Sequence, residues 1–229
     1  MQNISNKLIV ALDVMTNKEA KRFVDRLYPK VNIFKIGPVL FTADGPKVAE
    51  LIRKKGAEIF LDLKYHDIPN TVANAVRQAV RLKVKMLTLH ISGGQEMLKQ
   101  AAQAAKEESA KLKTKKPLLL GITILTSDQE SVNTKKIVLE RAGLAKRSGL
   151  DGIVCSVREA AAVRKACGRD FVIVTPGIRP EGKDVNDQKR VASAKDAISA
   201  GADYIVVGRP ILEAKNPLEA AKNIIKELE

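Results

Sequence analysis

Leu8-Ile9-Val10-Ala11-Leu12, followed at once by Asp13, is apolar at every position instead of at alternate ones. A strand with one wet face alternates apolar and polar side chains, so an unbroken run is expected of a parallel strand covered on both faces. Tyr204-Ile205-Val206-Val207, near the other end of the chain, reads the same way and runs into Gly208-Arg209-Pro210. Between these two, short β-rich runs recur, each followed by a helical pattern: Val31 to Ile36, Glu58 to Leu63, Val84 to His90, Pro117 to Thr123, Gly152 to Cys155 and Phe171 to Thr175. With Lys7 to Leu12 and Tyr204 to Val207, eight strands are predicted.

The intervening segments carry helix caps and apolar stripes. In the last of them Asn216 can cap, Pro217 takes the first helical position and Glu219 stands at capping-box spacing, while Leu218, Ala221, Ile224, Ile225 and Leu228 share one face. The chain from Asn216 onward is therefore expected to dock as a helix. Eight strand-helix units without a long linker predict one α/β domain over residues 1–229, a single (β/α)8 TIM barrel, with a doubly wound open sheet as the competing arrangement. In a barrel the functional side chains belong at the C-terminal ends of the strands and in the loops that follow.

Composition narrows the chemistry. Forty Lys plus Arg against 26 Asp plus Glu give a net charge of +14, while aromatic residues make up only 3%. Such a charge raises nucleic acid as a partner. Against it, the lysines are dispersed over many helices, only Lys111-Leu112-Lys113-Thr114-Lys115-Lys116 is dense, and no aromatic stacking set accompanies them. The longest nearly apolar run, Leu118 to Leu125, is far shorter than the roughly 20 residues of a membrane helix. The first residues, Met1-Gln2-Asn3-Ile4-Ser5-Asn6, have no secretory pattern, so a cytoplasmic protein without a membrane partner is expected. Cys155 and Cys167, with His66 and His90, are too few and too scattered for a disulfide framework or a Cys/His metal cluster. Carboxylates, lysines and backbone dipoles are left to do the chemistry.

They collect at the predicted strand ends. Strand one ends in Asp13, strand two in Lys35 and strand three in Asp62 and Lys64. Residues two apart on a strand face the same way, so Asp62 and Lys64 should point together with Leu63 opposite. Each charge alone reads as a rim salt bridge. Four of them on three successive strand ends read as a site in which each group keeps its neighbour ionised. Thr175-Pro176-Gly177-Ile178-Arg179 follows strand seven and Gly208-Arg209 follows strand eight, the two loops that form the usual phosphate site of this fold. Between them, residues 180–188 are polar and long enough for a lid, in which Gln188 could reach a phosphate or a base carbonyl; sequence alone slightly favours a plain solvent loop.

Asp62-Leu63-Lys64-Tyr65-His66-Asp67-Ile68-Pro69-Asn70-Thr71-Val72 resembles the signature of the orotidine 5′-phosphate decarboxylase family. The resemblance extends along the chain through Leu12-Asp13, Phe34-Lys35-Ile36-Gly37, Leu125-Thr126-Ser127, Thr175 to Arg179, Asn186-Asp187-Gln188 and Val206 to Arg209. It implies a homodimeric barrel that converts orotidine monophosphate to uridine monophosphate and CO2 in pyrimidine biosynthesis, with no metal or organic cofactor. It further implies that Lys64 protonates C6, flanked by Lys35 and Asp62, while Asp67 enters the partner subunit's site. Asp13 and Thr71 would hold ribose hydroxyls, Thr126 the pyrimidine edge, and Arg179, Gln188, Gly208 and Arg209 the phosphate and its lid. No proton-transfer role is expected of His66, which is expected to order a loop or the dimer contact, or of His90, which is expected to pack or accept a hydrogen bond.

The nearest competing activity is a Mg²⁺-dependent sugar-phosphate lyase or decarboxylase of the same superfamily. The resemblance implies an acidic ligand near the end of strand two in such proteins, where Lys35 stands here. A nucleic-acid-binding module is the remote alternative.

Overall fold

The computed structural model describes residues 4–124, 133–179 and 192–228. Its eight strands are β1 (Leu8–Ala11), β2 (Ile33–Ile36), β3 (Glu58–Tyr65), β4 (Met86–His90), β5 (Leu118–Ile122), β6 (Gly152–Val154), β7 (Val172–Thr175) and β8 (Tyr204–Val207). They close in chain order into a barrel that is parallel at every seam, with β8 returning to β1. The fold is thus the predicted (β/α)8 barrel, and the open sheet is excluded by closure.

The apolar runs are explained by two cores. Ile9, Ala11, Ile33, Phe60, Met86, Leu120, Val174 and Val206 fill the barrel interior. The alternate residues, Leu8, Val10, Phe34, Ile59, Leu61 and Leu87 among them, face outward into a layer shared with the helices. Inward and outward strand positions alike therefore meet apolar neighbours along the strand centres, which removes the alternation a one-sided sheet would show. Carried one step past the last interior apolar residue, the inward parity reaches Asp13 on the first strand's continuation, Lys35 on β2 and Asp62 on β3.

The surrounding helices are α1 (Asn17–Leu27), α2 (Pro38–Asp44), α3 (Pro46–Lys54), α4 (Pro69–Arg81), α5 (Gly94–Lys111), α6 (Thr134–Arg147), α7 (Val157–Cys167), α8 (Ala194–Ser199), α9 (Arg209–Leu212) and α10 (Pro217–Lys226). Helix α10 docks as expected, with Ala221, Ile224 and Leu228 buried and Leu218 and Ile225 packed at the margin. Asn216 caps it by accepting the Glu219 N–H at 3.4 Å. The Glu219 carboxylate accepts from Lys222 Nζ at 3.3 Å, one turn along the helix. The Asn216 Oδ1 is shared with Arg26 of α1 at 3.1 Å, which ties the last helix to the first. No helix among the described residues is long and apolar enough to cross a membrane.

β3 departs from the expected pattern. It runs two residues beyond Leu63, and its pairing with β4 shifts: Leu61 pairs with Leu87, then Tyr65 with Leu89. Asp62, Leu63 and Lys64 are thus set against the single residue Thr88, a bulge that bends the strand at its C-terminal end. Within it Lys64 has φ +52°, in the left-handed region that side chains other than glycine rarely occupy.

Candidate active site

A cavity of about 200 Å³ opens at the C-terminal end of the barrel. Its floor is the top of the interior core, Ala11, Phe60, Ile122, Val154 and Val206, and its rim carries the charges. On one side stand Asp13, Lys35, Asp62 and Lys64; on the other stand Pro176, Gly177 and Arg179 after β7, then Gly208 and Arg209 after β8.

The charged side is a chain of alternating sign. Lys35 Nζ donates to Asp13 Oδ1 at 3.2 Å and lies 3.6 Å from Asp62 Oδ2, while Lys64 Nζ donates to the same Asp62 oxygen at 2.9 Å. The other Asp62 oxygen accepts from the Thr88 hydroxyl at 2.9 Å, and that hydroxyl accepts the Lys64 backbone N–H, also at 2.9 Å. Burial pushes the Asp62 carboxyl up, but the Lys35 and Lys64 ammonium groups, helped by the Lys64 and Thr88 hydrogen bonds, outweigh it and hold it below the usual carboxylate range. Asp62 is therefore an anion with both oxygens committed, and Lys64 is held against it with its head group at the cavity.

The expected same-side placement of Asp62 and Lys64 holds, though not by simple pleating. The bulge and the left-handed Lys64 backbone bring both inward, and Leu63 packs outward into the helical layer.

On the opposite side, Gly177 has φ +78°, which only glycine adopts without strain, so the turn after β7 requires it. Arg179 is buried, and its backbone N–H donates to Ala192 O at 3.0 Å, which joins the two flanks of residues 180–191. Gly208 precedes α9 and faces Asp13 across the mouth: a Cβ at this position would lie 3.2 Å from Asp13 Oδ2. The missing side chain leaves room between the first and last strands.

Seven of the expected residues are thus brought together: Asp13, Lys35, Asp62, Lys64, Arg179, Gly208 and Arg209 all line one cavity. Asp67 and Thr71 do not line it. Both are exposed, on the loop after β3 and in the first turn of α4, and the Asp67 carboxylate accepts the Ile68 N–H at 2.6 Å. Thr126 and Gln188 lie outside the described residues. His66 and His90 pair with each other, ring centroids 5.3 Å apart, and neither lines the cavity. Burial, then His66, Lys64 and Arg141, keep His90 below its ordinary pKa and so in the neutral form. Both cysteines are buried, and burial pushes the Cys155 thiol far up, which leaves it an inert core group.

The profile of the Orotidine 5′-phosphate decarboxylase / HUMPS family matches residues 6–224. The chain belongs to this family. Among its relatives, the orotidine 5′-phosphate decarboxylase of Syntrophotalea carbinolica is 49% identical over 97% of this chain and 94% of its own length. That of Moorella thermoacetica is 47% identical, over 98% and 92% respectively. The crystal structure of the Lactobacillus acidophilus decarboxylase superposes with a TM-score of 0.86 at 35% identity, covering 98% of this chain and 99% of that one. The Pyrococcus horikoshii enzyme superposes with a TM-score of 0.79 at 25% identity, over 96% and 98%.

Within this family member the sequence reading missed Thr88 and Arg141. Thr88 is fully buried and joins Asp62 to the Lys64 backbone. Its signal was available: a single hydroxyl inside Met86-Leu87-Thr88-Leu89, on the inward parity of a strand next to the charged one. Arg141 reaches from α6 to donate to the Thr123 carbonyl at the end of β5. A lone arginine on a helix carries no such signal.

Proposed function

We propose that this chain is an orotidine 5′-phosphate decarboxylase, releasing CO2 from orotidine monophosphate to give uridine monophosphate. The observation that carries this reading is the chain Asp13–Lys35–Asp62–Lys64 at the mouth of the barrel, in which a buried anion holds an ammonium group at the cavity. The family membership and the names of the relatives support it.

The reaction breaks the bond between C6 and the carboxylate, leaving the electron pair on a ring carbon that cannot delocalise it well. An ammonium fixed beside that carbon stabilises the developing charge as it forms, with no reorganisation cost at that moment. Lys64 supplies the ammonium and then its proton, forming the C6–H bond as CO2 leaves; the neutral amine recovers a proton from solvent. Asp62 keeps Lys64 aimed, and lies where the substrate carboxylate would approach. Lys35, between Asp62 and Asp13, ties that carboxylate to the one assigned to the ribose hydroxyls. Arg179, Gly208 and Arg209, with Gln188 and the residues around it, take the phosphate; binding this non-reacting group supplies energy for ordering the reacting end. Thr126 is assigned to the pyrimidine edge. None of these roles calls for a cofactor, and the Lys35 ammonium next to both carboxylates disfavours a divalent cation there.

In this reading the active unit is a homodimer. Met15, Val39 and Ile68, 69%, 55% and 66% exposed, follow β1, β2 and β3 in turn, an apolar rim beside the cavity that a second copy would cover. Asp67 adjoins Ile68, so a subunit docked on this rim would bring its Asp67, and Thr71 one turn further on, to its partner's cavity and complete the Lys-Asp-Lys-Asp array.

Purified, chelator-treated protein should deplete the absorbance of orotidine monophosphate, and Lys64→Ala should reduce turnover by at least about 10³-fold while circular dichroism stays native. No turnover by wild type, or a Lys64→Ala variant within about tenfold of it, would overturn the reading.

A further inference from the structure

We infer that Thr88 is a positioning residue for the reacting lysine, its hydroxyl holding Lys64 in the left-handed conformation and Asp62 in the orientation that aims its ammonium at the cavity. The inference concerns a residue that touches no substrate, and its catalytic half rests on the decarboxylase reading.

Three observations converge on it. At the bulge, Asp62, Leu63 and Lys64 face Thr88 alone on β4, so the backbone ladder is interrupted where it would otherwise fix Lys64. The Thr88 side chain takes its place by accepting the Lys64 N–H at 2.9 Å. The same oxygen donates its proton to Asp62 Oδ1 at 2.9 Å, which turns Asp62 Oδ2 toward Lys64 Nζ, at 2.9 Å, and Lys35 Nζ, at 3.6 Å. One hydroxyl thereby closes a ring that runs from the Lys64 backbone through Asp62 to the Lys64 side chain.

Energetics favour a dedicated role. A side chain other than glycine at φ +52° is strained, and such conformations persist where their surroundings enforce them. Thr88 is fully buried, where a hydroxyl is costly unless both its donor and acceptor capacity are used. Here both are used, on the two residues of the site that must keep fixed relative positions. A valine would fill the same volume with neither bond, so packing alone does not require threonine.

The experiment compares Thr88→Val, Thr88→Ala and Thr88→Ser with wild type, by steady-state turnover of orotidine monophosphate and by amide hydrogen exchange at Lys64. Removing a hydrogen bond to a buried charge and one to a strained backbone should lower kcat by about 10- to 100-fold in Val and Ala, with KM within about threefold. Thr88→Ser keeps the hydroxyl and should stay within about threefold of wild-type kcat. Lys64 amide exchange should accelerate in Val and Ala and remain slow in Ser. Equal kcat in Thr88→Val and wild type, or Ser as impaired as Val, would overturn the inference, as would an unchanged Lys64 amide in a folded Val or Ala variant. If wild type itself does not turn over, the decarboxylase reading fails, while the exchange measurement still decides whether the Thr88 hydroxyl holds Lys64.

Discussion

Asp62 is the residue on which the charged cluster balances, because it is buried between two ammonium groups and spends both oxygens on hydrogen bonds. An acid whose ionised form is favoured by the fold adds stability above its unfolded pKa, near 4, and that stability disappears as pH falls through the lower folded value. Urea midpoints measured from pH 6 downward should therefore stay level through this contribution to about pH 4 and then decline. The Asp62→Asn variant, with nothing to protonate at this position, should show a shallower decline over the acid range; an equal slope would mean that the group's pKa is not depressed in the fold. The charges themselves were legible in the sequence, since Asp13, Lys35, Asp62 and Lys64 fall on the inward parity of their strands or beside it. What holds them in place was not. The left-handed Lys64 backbone and the Thr88 ring depend on how β3 and β4 pair, and no local pattern in Asp62-Leu63-Lys64 distinguishes a bulge from a regular strand end.

At the scale of elements, the strands were legible because a parallel barrel imposes continuous burial, and their centres fall where the apolar runs do. Their ends were less so: Lys7 and Val31 lie outside the ladder, Leu12 still donates to Lys35 O at 2.9 Å just beyond β1, and β3 continues to Tyr65. Strand ends are decided by the partner's backbone, and propensity does not report it. Helix α10 was legible from Asn216, Pro217 and its apolar face, and the structure adds that Asn216 serves two elements through one oxygen, capping α10 and accepting from Arg26 of α1. Asn216→Ala should consequently cost about 1 kcal/mol, as for loss of an N-cap. In a chain of this size that lowers the melting temperature by about 2–4 °C, with turnover unchanged, because α10 lies outside the cavity lining. A variant melting with wild type would show that water or a neighbouring side chain replaces both bonds at no cost.

For the whole molecule, the +14 charge is absorbed only in part by the site, where Lys35, Lys64, Arg179 and Arg209 face one cavity. Some other lysines stand in surface pairs such as Lys54–Glu50 and Lys55–Asp25, and a net field of this sign favours the approach of an anionic nucleotide at low salt. The assembly raises the sharper question. In the proposed reading one chain presents an incomplete array, because its own Asp67 is exposed and turned to the Ile68 N–H instead of the cavity. If two copies exchange this residue, each active site draws Lys64 from one subunit and Asp67 from the other. Lys64→Ala and Asp67→Ala homodimers would then each carry two damaged sites, whereas a mixed dimer would pair one doubly damaged site with one that is intact. Mixing equal amounts of the two inactive proteins under conditions of subunit exchange should restore up to about a quarter of wild-type activity per subunit, since about half of the randomly formed dimers are mixed and each of those has one working site of two. Mass spectrometry of differently labelled subunits measures the exchange independently. Mixed dimers that form and remain inactive would place Asp67 outside the partner's site, and recovery in step with the mixed fraction would assign the completed array to the interface.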